Sequence, residues 1–287
     1  MLRRKIYDEL LAWKKGKKNE CLLVKGARQV GKSFIIEEFG RNNYQSMIVI
    51  NFFKHPEYKN IFEGDLSPVE IYKRISLQLP EVRFVKGKTL LFLDEIQHCP
   101  AARTAIKFLA TDDMCDVISS GSLLGLHYKE IVSVPVGYER QIEMYSLDFE
   151  EFLWAYGYGE EAIAALRGYF ERTEKIPDAV NSKLSAVLRE YLAVGGMPDV
   201  VNTFFATHNF QAVAQKQRSI LAEYEEDINK YASGGEKQKI RACYYSLPRQ
   251  LAKEYTKFRY STVSKGGSAK KYENALDWLT DAGLVKA

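Results

Sequence analysis

The segment Gly26–Ser33 reads GARQVGKS and fits the pattern G-x-x-x-x-G-K-S, which is typical of a loop that binds phosphate. Gly26 and Gly31 allow a tight turn and a close approach of the backbone to an anion. Lys32 supplies a positive charge for the β- and γ-phosphates, and Ser33 supplies a hydroxyl for Mg²⁺. Because eight residues can match a pattern by chance, an ordinary glycine turn is the alternative interpretation.

The flanking sequence favours the phosphate-binding loop. Cys21–Val24, before the loop, is apolar and predicts a buried strand. Ser33–Phe39, after it, has the spacing of a helix, and the N-terminus of a helix favours an anion. Strand, loop and helix are the order that the motif requires, so we predict a site for a nucleoside triphosphate. The candidate binding residues are Gly26, Ala27, Arg28, Gln29, Val30, Gly31, Lys32, Ser33 and Phe34.

A second motif, Thr89–Glu95, is an apolar run that ends in two acids. Such a run is typical of a fully buried parallel strand, and ligands bind at the carboxyl ends of these strands. Asp94 is the candidate ligand of Mg²⁺ together with Ser33, and Glu95 is the candidate base that deprotonates the attacking water. A strand that ends in a solvated acidic turn is the alternative, which the upstream loop disfavours.

The composition is that of a globular protein: 46% of the 287 residues are hydrophobic and 27% are charged. A net charge of +4 permits nucleic-acid binding without arguing for it. No two of the four cysteines have metal-ligand spacing, so free thiols in a reducing compartment are expected. No apolar run is long enough to span a membrane. We therefore expect a cytoplasmic protein.

The first half of the chain alternates predicted strands with predicted helices, which implies an α/β fold with a parallel sheet and helices on both faces. A capping box at Ser67–Glu70 predicts the start of one helix, and another is expected over about residues 101–111. The five predicted strands are Cys21–Val24, Met47–Phe52, Leu90–Asp94, Val117–Ser120 and Gln141–Tyr145.

From about Gly157 onward the pattern becomes all-helical. A linker at Ser233–Gly235 separates two groups of helices. The group after the linker favours a winged helix, with a plain helical bundle as the alternative. The predicted helices are Glu160–Arg172, Ser182–Val194, Asp199–Thr207 and Asn209–Ala232 before the linker, and Ile240–Tyr245, Leu247–Tyr255 and Ala269–Ala282 after it.

The motifs converge on a family. The predicted strand Met47–Phe52 lies between the phosphate loop and the acidic pair. In this arrangement the chain resembles the AAA+ branch of phosphate-loop ATPases. More specifically, the chain resembles prokaryotic ATP-binding proteins that combine an AAA ATPase domain with a DUF4143 region. The matching stretches are Arg3-Arg4 with Trp13, Gly26–Ser33, Leu91–Gln97, Ser120–Ser122, Val134–Gly137, Tyr145–Trp154, Gly195–Val201 and Ala275–Val285.

The resemblance implies three units: an AAA+-like ATPase domain at 1–156, a helical lid at 157–233 and a winged-helix-like domain at 234–287. Members of the family usually continue into a C-terminal domain that has been likened to nucleases. This sequence stops at Ala287, so we expect a fragment or a shortened member, and no activity of that domain is assigned.

The resemblance also implies further site residues. In AAA+ proteins a polar residue at the end of the fourth strand senses the γ-phosphate, which makes Ser120 and Ser122 candidates. A simple turn or a helix cap is the alternative role for these serines. An arginine that acts on the γ-phosphate would be Arg103 or Arg140, and ordinary surface positions are the alternative for both.

Together these inferences predict an enzyme that hydrolyses ATP to ADP, with Mg²⁺, to drive a conformational change. A switch that binds ATP with negligible turnover is the first alternative. A DNA-binding regulator that uses the ATPase fold as a scaffold is the second. The sequence leaves the oligomeric state open.

A partner is expected at the C-terminal unit, either double-stranded DNA or a protein. A winged helix would direct Ala269–Ala282 toward the major groove, with Lys270 and Lys271 near its start. The basic residues that cluster after the linker are Lys237, Lys239, Arg241, Arg249, Lys253, Lys257, Arg259, Lys265, Lys270 and Lys271.

Overall fold

The computed structural model describes residues 2–16, 19–122, 137–232, 234–252 and 257–285. Residues 134–136 of the family resemblance lie outside this part of the chain. So do Ser233 of the predicted linker, and Lys253 and Tyr255 of the C-terminal predictions.

Five parallel strands of the described residues form one sheet in the order β2-β3-β4-β1-β5, which confirms the predicted fold class. Both β3 and β4 are buried along their whole length, which explains their continuous apolar sequence. In register, Asn51 pairs with Asp94 and Gly26 pairs with Ser122, so the carboxyl ends of four strands meet at one edge. The strands are β1 Cys21–Gly26, β2 Ser46–Asn51, β3 Thr89–Asp94, β4 Cys115–Ser122 and β5 Glu139–Glu143.

Helices cover both faces of the sheet, as the alternation of elements predicted. Leu90 and Phe92 of β3 pack with α1 and α2, whereas Leu91 and Leu93 pack with α3 and α4. This alternation of side chains along one strand is what a strand buried on both faces requires. These helices are α1 Ile6–Gly16, α2 Lys32–Asn43, α3 Pro68–Gln78 and α4 Pro100–Leu109.

The predicted capping box at the start of α3 is wrong. The hydroxyl of Ser67 donates to Asp65 Oδ2 at 3.0 Å instead of capping the helix. A capping box is present at Phe149–Ala155, which we label α5. There the Asp148 carboxylate accepts from the Glu151 N–H at 2.9 Å, and the Glu151 carboxylate accepts from the Asp148 N–H at 3.1 Å.

The second half of the described chain is helical, as predicted. Its helices share one hydrophobic cluster with α5, which includes Phe152, Tyr224 and Trp278. The helices are α6 Glu160–Glu171, α7 Asp178–Val194, α8 Pro198–Thr207, α9 Phe210–Tyr231, α10 Lys237–Leu251, α11 Tyr260–Val263 and α12 Ala269–Asp281.

The C-terminal helices differ from the prediction in one respect. The two helices predicted on either side of Ser246 are one continuous helix, α10, with Pro248 inside it. Proline removes one backbone donor and strains the preceding turn, but buried packing of Cys243 and Tyr244 holds α10 together. Residues 234–252 and 257–285 contain no β-strand, so the wing of a winged helix is absent from this part of the chain.

Within the described residues, no helix combines the length and the apolar character needed to cross a bilayer. The four cysteines, Cys21, Cys99, Cys115 and Cys243, are buried and form no disulfide. Burial raises the pKa of the Cys243 thiol to about 11, so this thiol is protonated at neutral pH.

Candidate functional site

The phosphate loop joins the end of β1 to the start of α2, and each of its two glycines occupies a position that disfavours other residues. A Cβ on Gly26 would lie 2.2 Å from the carbonyl oxygen of Met144. Gly31 has a φ of 95°, in the left-handed region that glycine adopts without strain. It is also the N-cap of α2, and no side chain of the described residues caps this helix. The first N–H groups of α2 therefore face the position where an anion binds.

Lys32 is folded back onto the loop. Its Nζ donates to the carbonyl oxygens of Gly26 at 3.0 Å and Ala27 at 2.7 Å. Burial lowers the pKa of Lys32 to about 8, and the carboxylates of Glu95 and Asp94 oppose that shift. The loop carbonyls offer only dipoles to the Lys32 ammonium. A bound phosphate would supply a full negative charge and favour the charged form of Lys32.

Asp94, at the end of β3, is the centre of a hydrogen-bonded cluster. The Ser33 hydroxyl lies 2.9 and 3.0 Å from its two oxygens. Asn51, at the end of β2, donates from Nδ2 to Oδ2 at 2.6 Å, and the Ser120 hydroxyl donates to Oδ1. A carboxylate beside a hydroxyl and an amide is a set of hard oxygen donors, which is what Mg²⁺ prefers. The residues present therefore fit Mg²⁺ at Ser33 and Asp94.

Glu95 follows β3 with φ 57° and ψ 46°, a left-handed conformation that is uncommon for a residue other than glycine. Strained backbone of this kind clusters at functional sites. The Gln97 amide donates to Glu95 Oε2. The conformation places Glu95 on the wall of a cavity of about 310 Å³ that Lys32 and Ser33 also line.

Ser120 and Ser122 both lie inside β4 and are buried, so neither occupies a turn. Besides donating to Asp94, Ser120 accepts from the backbone N–H of Glu95 at 3.4 Å. Ser122 Oγ lies 3.5 Å from Gln97 Nε2. Each serine is thus connected to one of the two acids, directly or through Gln97.

A second cavity, of about 380 Å³, shares part of its lining with the first. Gln29, Gly31 and Phe34 line both cavities. The wall of the larger cavity opposite the loop comes from α8 and α9, through residues such as Asn202 and Ile220. An elongated ligand can therefore extend from the phosphate loop to the C-terminal helices.

The loop is tied directly to α9. Arg28 forms an ion pair with Asp227, and its carbonyl oxygen accepts from the Tyr224 hydroxyl at 2.8 Å. Gln29 donates to Glu223, one turn earlier on the same helix. Burial raises the pKa of Asp227, and Arg28 opposes this shift. Side-chain contacts of Arg28 and Gln29 therefore connect the loop to α9.

Arg4 fixes the other side of the loop. Its guanidinium donates to the carbonyl oxygens of Val30 at 3.0 Å and Tyr145 at 2.6 Å, and to Glu151 Oε1 at 3.2 Å. The side chains of Arg4 and Glu151 are each only 6% exposed. The capping box of α5 thus also positions a buried cation against the phosphate loop.

The two candidate arginines lie at the opposite edge of the sheet. Arg140 pairs in register with Leu22, near the start of β1. Arg103 is buried and bonded to Glu139 at 3.0 Å, and Glu139 pairs with Cys21, the first residue of β1. The four steps from Leu22 to Gly26 span about 13 Å at ~3.3 Å per residue. Neither arginine reaches the phosphate loop of its own chain, and Arg103 is a structural ion-pair residue instead of a surface residue.

We expect Arg103→Met to lower the free energy of unfolding by about 3 kcal/mol, because it leaves the Glu139 carboxylate buried without its partner. Burial already raises the pKa of Glu139 against the effect of Arg103. Thermal denaturation followed by circular dichroism measures the change. Arg140→Met is the matched control, because Arg140 is exposed and lies next to Glu139 on β5. Its free energy of unfolding should stay within about 0.5 kcal/mol of the wild type. Equal stability of the two variants would contradict the buried pair.

Comparison with protein families assigns the first half of the chain. Residues 18–153 match the family profile described as AAA domain. Residues 185–287 match a domain of unknown function, DUF8612, whereas the sequence resemblance implied a DUF4143 region, which stays a prediction. No protein of curated function matches the sequence.

Several solved structures are similar to this chain at low sequence identity. The Walker-type ATPase PABY2304 of Pyrococcus abyssi matches with a TM-score of 0.53 and 14% identity, over 98% of this chain and 90% of that chain. At this identity the match shows the fold alone. DnaA of Aquifex aeolicus, bound to AMPPCP, matches with a TM-score of 0.43 and 11% identity, over 98% and 89% of the two chains. ORC1 of Aeropyrum pernix, in complex with DNA, has a TM-score of 0.38 and 14% identity, over 100% and 85%.

Sequence reasoning missed several residues of the site in the AAA domain. Asn51 had a usable signal, because it is a polar residue at the end of a strand next to the acidic strand. Arg4 and Gln97 lie in stretches that carry the family resemblance, but the sequence assigned them no role, and Asp227 had no signal. The partners of all three are found only in the folded chain. These four residues form hydrogen bonds or ion pairs that hold the phosphate loop, Asp94 and Glu95 in place.

Proposed function

We propose that this protein binds ATP with Mg²⁺ in its AAA domain and hydrolyses it to drive a conformational change in the C-terminal helices. The observation that carries the proposal is the convergence of Lys32, Ser33 and Glu95 on one cavity, with Asp94 bonded to Ser33. These are a cation, a hydroxyl and two carboxylates, the groups that phosphoryl transfer to water requires.

Each group has a proposed role. The loop N–H groups and Lys32 hold the β- and γ-phosphates. Ser33 and Asp94 hold Mg²⁺, whose charge, when bound, offsets the negative charge of the phosphates. Glu95 accepts a proton from the water that attacks the γ-phosphate. Ser120 and Ser122, beside the two acids, sense the γ-phosphate at the end of β4.

The nucleoside is proposed to occupy the larger cavity. Apolar side chains such as Ile35 and Ile220 line it together with the polar Asn202, a lining that suits a flat base with hydrogen-bonding edges. Because α8 and α9 form one wall, residues 157–233 would act as a lid on the ATPase domain at 1–156. Hydrolysis would then alter the contacts between the two.

Phosphate release from ATP by the purified chain tests the proposal. We expect release that requires Mg²⁺ and stops when the metal is chelated. The same assay with and without double-stranded DNA shows whether a nucleic-acid partner stimulates turnover. Absence of both ATP binding and phosphate release would reject the proposal.

A nucleotide-gated switch with negligible turnover is the second candidate function. The ties from Arg28 to Asp227 and from Gln29 to Glu223 favour it, because occupation of the loop would move α9 without any hydrolysis. Tight ATP binding with no phosphate release, in the presence of Mg²⁺, would support the switch in place of the enzyme.

The buried thiols bear on the cellular compartment of the protein. None of the four cysteines forms a disulfide. Thiols persist in a reducing compartment. The free thiols support our proposal that the protein is cytoplasmic.

Duplex DNA is the proposed partner of the C-terminal unit at 234–287, whose winged-helix character stays a prediction. Lys265, Lys270 and Lys271 are exposed around the start of α12, and a solvated face or a protein-docking surface is the alternative. We expect weak binding of DNA that falls steeply with salt, because phosphate contacts release counterions. Lys270→Glu combined with Lys271→Glu should reduce it by roughly tenfold or more, because each replacement removes a cation and adds an anion that repels phosphate.

Fluorescence anisotropy with a labelled duplex at low salt measures this binding. Lys175→Glu combined with Lys183→Glu makes the same change in net charge at exposed positions before and within α7, and should leave most of the affinity. No binding by the wild type, or equal losses in the two double variants, would reject α12 as a DNA site.

A further inference from the structure

Gln97 occupies a short 3₁₀ turn, Ile96–His98, immediately after Glu95. Its side-chain amide lies between Glu95, which follows β3, and Ser122, at the end of β4. Nε2 donates to Glu95 Oε2 and lies 3.5 Å from Ser122 Oγ at the end of β4. The residue is only 5% exposed, so packing holds the amide in this orientation.

The orientation of the amide follows from the chemistry of its neighbour. An ionised carboxylate only accepts hydrogen bonds, so the amide must present its NH₂ group to Glu95. Within the described residues the opposite atom, Oε1, has no hydrogen-bond partner. A buried acceptor without a partner is a cost. The fold accepts an unpaired Oε1 at this position, and the hydrogen bond from the NH₂ group to Glu95 is the interaction that Gln97 gains there.

Glu95 has a particular need for such a partner. The backbone of Glu95 is in the left-handed region, and its long side chain lines the cavity together with Lys32. A bond at Oε2 orients the carboxylate and leaves Oε1 as the acceptor for a proton. The neighbouring acid is held separately, because the Asn51 amide donates to Asp94. The two acids thus have one orienting amide each, from different elements.

We propose that Gln97 is a positioning residue for Glu95, which it holds toward the γ-phosphate end of the cavity and couples to Ser122 of β4. This inference rests on the proposed hydrolysis of ATP and assigns to that same site the residue that aligns its base. Loss of the amide would leave nucleotide binding intact, because Gln97 does not line either cavity at the loop. It would lower the rate of the chemical step.

The test compares Gln97→Met, which keeps the volume and removes the donor, with the wild type. We expect kcat for ATP hydrolysis to fall by about 10- to 100-fold, the usual effect of removing a partner that orients a functional group. KM and the Kd for ATP should change by less than about twofold, since uniform binding is untouched. Gln97→Glu keeps the shape of the side chain but places an acceptor against Glu95, so its kcat should fall at least as far. It serves as the test variant if Gln97→Met does not fold.

A double-mutant cycle with Glu95→Gln separates positioning from a structural role. When Glu95 no longer acts as a base, Gln97→Met should cause no further loss of rate in single-turnover assays. An unchanged kcat in the single variant, an equal loss in both backgrounds, or a weakened Kd would each overturn the role of Gln97 while the wild type still hydrolyses ATP. A wild type without turnover would overturn the proposed hydrolysis and this role together.

Discussion

Replacing Lys32 with alanine is expected to weaken ATP binding by at least about 30-fold, equivalent to about 2 kcal/mol or more. Lys32 is only 6% exposed, and its Nζ donates to two loop carbonyls. Burial lowers the pKa of Lys32 more than Glu95 and Asp94 raise it, so bound phosphates would further stabilise the charged ammonium. Alanine removes that charge and adds nothing in its place. Isothermal titration calorimetry with ATP and Mg²⁺ measures the loss.

The control for this prediction removes an equivalent charge elsewhere. The Lys73 side chain, on the surface of α3, is 63% exposed, and Lys73→Ala should bind ATP like the wild type. Circular dichroism should show that both variants are folded. Unchanged ATP affinity in a folded Lys32→Ala variant would mean that Gly26–Ser33 is not a phosphate-binding loop.

Replacing Glu95 with glutamine should separate binding from hydrolysis. Glutamine keeps the shape of the side chain and can still bond to Gln97, but it cannot accept the proton of the attacking water. The loss of a general base costs about 10²- to 10⁴-fold in rate. We expect the variant to bind ATP with nearly wild-type affinity and to accumulate it unhydrolysed. Single-turnover hydrolysis of radiolabelled ATP measures both quantities.

Glu161→Gln, at an exposed position of α6, is the matched control and should hydrolyse ATP at the wild-type rate. Measurable and equal turnover in Glu95→Gln and the wild type would remove Glu95 from the mechanism. Equal and negligible turnover in both, with ATP still bound, would favour the switch.

The sequence alone predicted the parallel α/β fold, because local patterns carry that information. A fully buried strand such as β3 needs a continuous apolar run, and a tight turn at Gly31 needs a residue that tolerates a φ of 95°. The phosphate loop and the acids Asp94 and Glu95 were likewise readable, since each motif lies on one short segment. Their meeting at one edge follows from parallel strands whose carboxyl ends coincide.

Only the tertiary structure decided how these residues are held. Arg28 and Asp227 are 199 positions apart, and Arg4 and Glu151 are 147 apart. A periodic pattern shows which face of a helix is buried but not which distant side chain it meets, because pairing depends on register and packing between elements. The same reason explains why Arg103, read as a surface or phosphate-directed residue, proved to be a buried partner of Glu139 at the opposite edge of the sheet.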